Sequence, residues 1–256
     1  MRASIPILMY HEVTPHPDPR FRKYSVTPAE FDRQIGWLAR HGFTAVHLET
    51  IVEARAGRAT LPARPVVVTF DDGLRDCVEH APPVLQAHGF TATFFLVAGL
   101  VGRTSEWLAR ERGVAFPMGD WAAARALEAA GFRCEAHTVT HPRLGGLAPD
   151  ACREELVRGR ELLEDQLGHA VRHLAYPFGS YSDTARRLAA EAGYVTACTV
   201  REGRVQPNDD LLALPRVPVV GGEGLPDFVS RLYTAHPVGR LLRAAVVHVR
   251  TRVGGS

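Results

Sequence analysis

Pro65-Val66-Val67-Val68-Thr69-Phe70-Asp71-Asp72-Gly73 is the stretch from which the fold can be read. Its first six residues are apolar or β-branched, and two carboxylates and a glycine follow. A strand with one wet face alternates polar and apolar residues, whereas a strand covered on both faces reads as a continuous apolar run. Residues 65–70 are therefore expected to be a central parallel strand. Asp71 and Asp72 then stand at its C-terminal end.

Working outward, similar runs occupy Ile5–Tyr10, Phe43–Val46, Thr91–Val97, Phe132–Ala136, Arg172–Tyr176, Tyr194–Thr199 and Leu212–Val220. Helical stretches fit between them. Thr27-Pro28-Ala29-Glu30 is a capping box with proline at the first helical position. Asp120–Ala130, Pro149–Gly168 and Ser182–Ala192 read as further helices. One joint recurs four times, as His41-Gly42-Phe43, His88-Gly89-Phe90, Ala130-Gly131-Phe132 and Ala192-Gly193-Tyr194. A glycine just past a helix takes the left-handed conformation, and the aromatic that follows can fold back on the last turn and start a strand. Seven or eight βα units in about 250 residues predict an α/β protein of the (β/α)-barrel type. An open doubly wound sheet is the alternative. The Ala98–Pro117 connection is long enough to be a functional surface loop.

The 256 residues fit one large α/β domain or two small ones, and 46% hydrophobic with 23% charged residues is an ordinary globular balance. The net charge of +2 gives no case for nucleic acid as a partner. Lys23 is the only lysine, so arginine carries nearly all the positive charge. Cys77, Cys134, Cys152 and Cys198 form no C-x-x-C pair and read as buried free thiols. No run approaches the roughly 18 apolar residues of a membrane span. The apolar run Ile5–Met9 is shorter than the about 7–15 residues of a signal-peptide core. A soluble cytoplasmic protein is the expectation, with one catalytic domain over residues 1–225 and a basic helical tail over 226–256 packed on it. From Phe228 onward Arg231, Arg240, Arg243, Arg250 and Arg252 interleave with leucines and valines and no acidic residue occurs. Such a tail could close one end of the barrel or make peripheral contact with an anionic membrane.

Polar residues collect where the strands end. Asp71-Asp72-Gly73 follows one strand, His137-Thr138-Val139-Thr140-His141-Pro142 another, His11-Glu12 the first, and Pro177-Phe178-Gly179 a fourth. In a barrel all four would share one mouth. Adjacent carboxylates are costly to bury without a cation, though Asp-Asp-Gly is also a common turn. Two histidines four apart can converge on one ion, or can be unrelated surface residues. Together Asp72, His137 and His141 would suit zinc or a similar divalent metal and leave positions open for water and substrate.

Thr69-Phe70-Asp71-Asp72-Gly73 and His137-Thr138-Val139-Thr140-His141-Pro142 resemble the first two signature motifs of the polysaccharide deacetylases, carbohydrate esterase family 4. Pro177-Phe178-Gly179 resembles the core of the third. The resemblance implies a distorted single-domain (β/α)7 barrel and a hydrolase that removes N-acetyl groups from a glycan containing N-acetylglucosamine, releasing acetate. It implies Asp71 as catalytic base, and Asp72, His137 and His141 as ligands of a divalent metal, zinc first, with nickel, cobalt or iron as alternatives. Phe178 matches the position whose backbone N–H helps bind the oxyanion. Ala175 stands where the family carries an arginine that orients the base, and Arg216 is the candidate substitute. The family's late Leu-x-His is absent. His11, after the first strand, resembles the acid histidine of the circularly permuted branch that includes poly-N-acetylglucosamine deacetylases, and Tyr176-Pro177-Phe178-Gly179 suits that branch. Glu12 or a backbone carbonyl would set the His11 tautomer. Trp107, Trp121 and Tyr181 are candidate sugar-stacking aromatics. A metal-dependent amidohydrolase on a small non-sugar amide and a non-catalytic carbohydrate-binding relative are the other readings.

Overall fold

The computed structural model describes residues 4–234, so the tail beyond Thr234 lies outside the described residues. Seven parallel strands close into a ring. In spatial order they are β1 (Ile7–Tyr10), β10 (Leu214–Pro218), β9 (Thr196–Glu202), β8 (His173–Ala175), β7 (Arg133–Ala136), β6 (Thr93–Leu96) and β5 (Pro65–Phe70), and β5 pairs back with β1. The two-residue strand β4 (Thr44–Ala45) adds to the start of β5, and β2 (Glu12–Val13) pairs with β3 (Ser25–Val26) beside the ring. The expected single (β/α)7 barrel is what forms, rather than an open sheet.

The apolar run of β5 divides between two cores. Val66, Val68 and Phe70 pack outward under the helices, while Val67 packs inward with Ile7, Phe95, Ala175, Cys198 and Leu214. Side chains two apart share a face of a strand. The inward row of β5 therefore runs Val67, Thr69, Asp71, and the inward row of β10 runs Leu214, Arg216. The ring's filling thus changes from apolar to charged as it approaches the C-terminal mouth.

Helices α1 (Pro28–Arg40), α2 (Leu48–Arg55), α3 (Arg75–Ala87), α5 (Trp121–Ala129), α6 (Pro149–Leu167) and α7 (Asp183–Glu191) connect the strands. The capping box on α1 is complete: the Glu30 carboxylate accepts from the Thr27 N–H at 2.8 Å, and the Thr27 hydroxyl accepts from the Glu30 N–H at 3.2 Å. The four glycine joints behave as expected. At the first, Gly42 has φ 72° and the Phe43 N–H donates to the Leu38 carbonyl at 3.0 Å, a Schellman-type closure. Phe43, Phe90, Phe132 and Tyr194 are all buried.

The Ala98–Pro117 connection differs from a simple surface loop. It carries the helix α4 (Glu106–Arg112), which buries Trp107 and Leu108. A two-residue apolar contact on a seven-residue helix is too short a period to stand out in sequence. Helix α8 (Leu225–Thr234) begins the stretch read as a tail and buries Phe228 and Leu232. No helix of the described residues is long and apolar enough to cross a membrane.

Candidate active site

The register of β1 on β5 (Ile7 opposite Val67 through Tyr10 opposite Phe70) sets His11 beside Asp71, and the Asp71 N–H donates to the Tyr10 carbonyl at 2.9 Å. His11, Asp71, Asp72, His137, His141 and Phe178 all line one cavity of about 430 Å³ at the C-terminal mouth. The four strand-end clusters therefore do converge.

Asp72, His137 and His141 are buried, with one ligand atom of each within 4.8 Å of the others. Asp72 Oδ1 lies 3.5 Å from His137 Nε2 and 3.2 Å from His141 Nε2. His137 Nδ1–H donates to the Ala175 carbonyl at 2.7 Å. A neutral His137 then presents a bare Nε2 lone pair to a carboxylate oxygen. Two acceptors facing each other in a buried site need a cation between them. A divalent metal fits this donor set, and the hydrogen bond to Ala175 is the kind of partner that orients a ligating imidazole. Burial alone would push the Asp72 carboxyl up, and an imidazole N–H or a cation on its Oδ1 holds it far below the ordinary carboxylate range.

The backbone here is unusual. Asp72 (φ 74°), Thr138 (φ 67°), His141 (φ 65°) and Phe178 (φ 58°) are the non-glycine residues with positive φ among the described residues, and all four belong to the site. The left-handed region costs such residues on the order of 1 kcal/mol or more each, so the surroundings must enforce it. Part of that enforcement comes from Glu155 of α6. Its carboxylate accepts from the N–H groups of Val139 and Thr140 at 2.8 and 2.9 Å and from the Thr140 hydroxyl at 2.6 Å. Trp107 stacks on the His141 ring at 4.4 Å, and Phe178 meets it edge-on at 4.6 Å.

Arg216, the candidate substitute for the arginine missing at Ala175, reaches Asp71. Its Nη1 and Nη2 donate to the two Asp71 oxygens at 2.7 Å each, its Nη1 also reaches Thr69 Oγ1 at 3.2 Å, and its Nε donates to the Thr199 carbonyl at 2.8 Å. The side chain is 0% exposed. Burial opposes ionisation of Asp71, and the guanidinium outweighs it, holding the carboxyl below its ordinary value.

Burial pushes the His11 imidazole down, opposed by the Asp72 and Asp71 charges, and its Nδ1 is buried with no hydrogen-bond partner. Glu12 does not set its tautomer. That carboxyl is buried on the other side of the strand and takes the Ser25 hydroxyl as its partner. Tyr176 is fully buried, gives its hydroxyl to the Leu212 carbonyl at 3.1 Å and stacks on Tyr181; neither ring lines the cavity. Trp121 also lies away from it, leaving Trp107 as the one of the three candidate aromatics that reaches the site. Glu155, and Tyr24, which lines the cavity with its ring 5.0 Å from that of His11, had no local signal in the sequence, because each reaches the site from a separate element.

Glu12 yields a test of its own. Burial pushes its carboxyl from 4.5 up to about 7, with Asp76 and Asp18 adding to the effect and the Ser25 hydrogen bond opposing it. The folded protein then binds a proton that the unfolded chain releases, so stability is full below about pH 4.5 and falls as pH rises toward 7. Glu12→Gln is expected to flatten that fall and to exceed the parent at pH 8 by about 2 kcal/mol. Urea midpoints at several pH values read it; parallel curves for the two proteins would contradict it.

A closed parallel barrel with a buried His/His/Asp cluster and a carboxylate beside it at the C-terminal mouth defines a hydrolase of the α/β-barrel class. The chain belongs to the polysaccharide deacetylase family, whose model matches residues 58–197. His11 and Arg216 lie outside that stretch. The polysaccharide deacetylase-like protein YxkH of Bacillus subtilis is 28% identical over 225 residues, covering 86% of this chain and 73% of its own. The poly-β-1,6-N-acetyl-D-glucosamine N-deacetylase of Staphylococcus epidermidis is 24% identical, covering 77% and 68%. The structure of Streptococcus pyogenes deacetylase PplD in complex with acetate superposes with a TM-score of 0.78 at 25% identity, covering 91% of this chain and 99% of that one.

Proposed function

We propose that the chain is a divalent-metal-dependent N-deacetylase of glycans containing N-acetylglucosamine, releasing acetate and leaving a free amino sugar. The observation that carries this reading is the juxtaposition of the Asp72, His137 and His141 cluster with the Asp71–Arg216 pair in one cavity. The name of the staphylococcal relative supports the sugar assigned. Zinc is the first candidate for the metal, and once bound such an ion supplies Lewis acidity toward the acetamide carbonyl and acidifies water.

The chain's own groups do the rest. Asp71, ionised and held in place by Arg216, accepts the proton of the attacking water. The Phe178 N–H donates to the oxyanion that forms on the acetamide oxygen. His11 gives a proton to the amine as the C–N bond breaks. Its unpartnered Nδ1 and half-buried position leave a ring free to carry that proton. Glu155 and Trp107 hold the segment that carries His137 and His141.

Acetylated chito-oligosaccharides incubated with protein and a divalent metal should lose acetyl mass, and a chelator should stop the loss until metal is returned. Unchanged masses with metal bound would overturn the reading. His11→Ala should lower turnover by about 10²–10³-fold, within the usual worth of general acid help, while metal content stays the same. The loss should be smaller than for the base, because solvent reaches the His11 side of the cavity. Near-normal turnover would remove His11 from the role.

A further inference from the structure

The only lysine of the chain stands at the rim of this cavity. Lys23 Nζ lies 5.7 Å from the centre of the Tyr24 ring, and the Arg112 guanidinium lies 5.0 Å from the same centre and donates to the Tyr24 hydroxyl at 3.2 Å. The Tyr24 ring is in turn 5.0 Å from the His11 ring. Two cations therefore lie within 5.7 Å of the centre of one aromatic ring that itself neighbours the proposed acid.

The rim's carboxylates are engaged elsewhere. Glu111 pairs with Arg143 at 3.0 Å, and Glu202 pairs with Arg231 at 3.8 Å. Lys23 and Arg112 are exposed, and neither has a carboxylate partner among the described residues. Arg112 is not needed to close α4 either, since Arg20 donates to the Gly113 carbonyl at 2.6 Å. Two like charges on one ring repel, and the ring's π face only partly offsets this. An anion within reach of both would relieve it.

We propose that Lys23 and Arg112 bind an anionic substituent of the glycan, so that the preferred substrate carries a carboxylate or phosphate on the sugar beside the one whose acetamide reacts. This rests on the deacetylase reading above.

The test is titration calorimetry on full-length, metal-loaded Asp71→Asn protein, which binds without turnover. The probes are tetra-N-acetylchitotetraose (chitotetraose below), the same acetylated tetrasaccharide oxidised to a carboxylate at one C6, and one carrying a single C6 phosphate. The charged probes should bind about tenfold tighter than chitotetraose at low salt, with the advantage shrinking at high salt. Adding Lys23→Gln and Arg112→Gln should bring the ratio near one. The carboxylate and phosphate arms show which anion is preferred. Equal affinities for the three probes, or no binding by any, overturn the inference. Acetate release from chitotetraose by the unsubstituted protein is measured alongside, so that failure of the deacetylase reading is seen separately.

Discussion

Asp71→Asn should lower turnover by about 10³–10⁴-fold, the upper part of what a general base supplies, while the protein keeps its divalent metal. The reason lies in what surrounds the side chain. Asp71 is 3% exposed, so no bulk water can take over the proton when the carboxylate becomes an amide. The amide is close to isosteric and leaves Asp72, His137 and His141 untouched. His137→Ala should behave differently: removing a ligand that also anchors to the Ala175 carbonyl should lose metal and turnover together. Metal content by atomic emission and acetate release, measured on both variants, separate the two roles. Asp71→Asn with full activity, or His137→Ala with full metal, would break the assignments.

Arg216→Met should cost about 3–5 kcal/mol of stability, the usual result of removing one partner of a buried ion pair. The methionine fills much of the space, so the loss comes mainly from Asp71 left buried without its cation. With Arg216 present, the Asp71 carboxyl sits below its ordinary value, and the pair's stabilisation is present above the unfolded carboxylate range and fades as pH falls. Without it, burial acts unopposed and the carboxyl moves up. The stability gap between parent and variant should therefore widen from pH 4 to pH 8. The acid limb of the pH–rate profile should move to higher pH, because only the ionised carboxylate accepts a proton. Arg216→Lys should recover part of the stability but not the two-pronged geometry. Arg216→Met combined with Asp71→Asn should be less destabilised than Arg216→Met alone. Additive losses would argue against the pair.

Much of this site is legible in sequence because barrel chemistry sits where strands stop. The unbroken run before Asp71 marks a buried strand, and the glycine-aromatic joints mark where helices hand over to strands. Both signals are local. What the sequence hides is set by register and by side-chain direction. Arg216 could be suggested as the partner missing at Ala175, but its fork onto Asp71 depends on how β10 lies against β9, where the pairing shifts between Leu214 and Arg216. Glu12 alternates away from His11 and finds Ser25 across a two-residue pairing too short to see in advance. Trp107 sits on a single apolar turn inside a connection that reads as loop. Glu155 reaches the His137–His141 segment from mid-helix, and nothing about its spacing announces this.

The seam between β1 and β10, where Leu8 meets Val217, has a kinetic meaning. It joins segments near opposite ends of the described chain, so this pairing has a very high contact order and is among the slowest to close. His11 and Arg216 stand on the two sides of that seam. The Asp72, His137 and His141 cluster, by contrast, follows β5 and β7, whose segments are nearer in sequence. During synthesis His11, set beside Asp71 by the β1–β5 pairing, and that cluster can gather before Arg216 is available. Asp71, the proposed base, receives its Arg216 partner only when the last barrel strand has been made and the ring has closed.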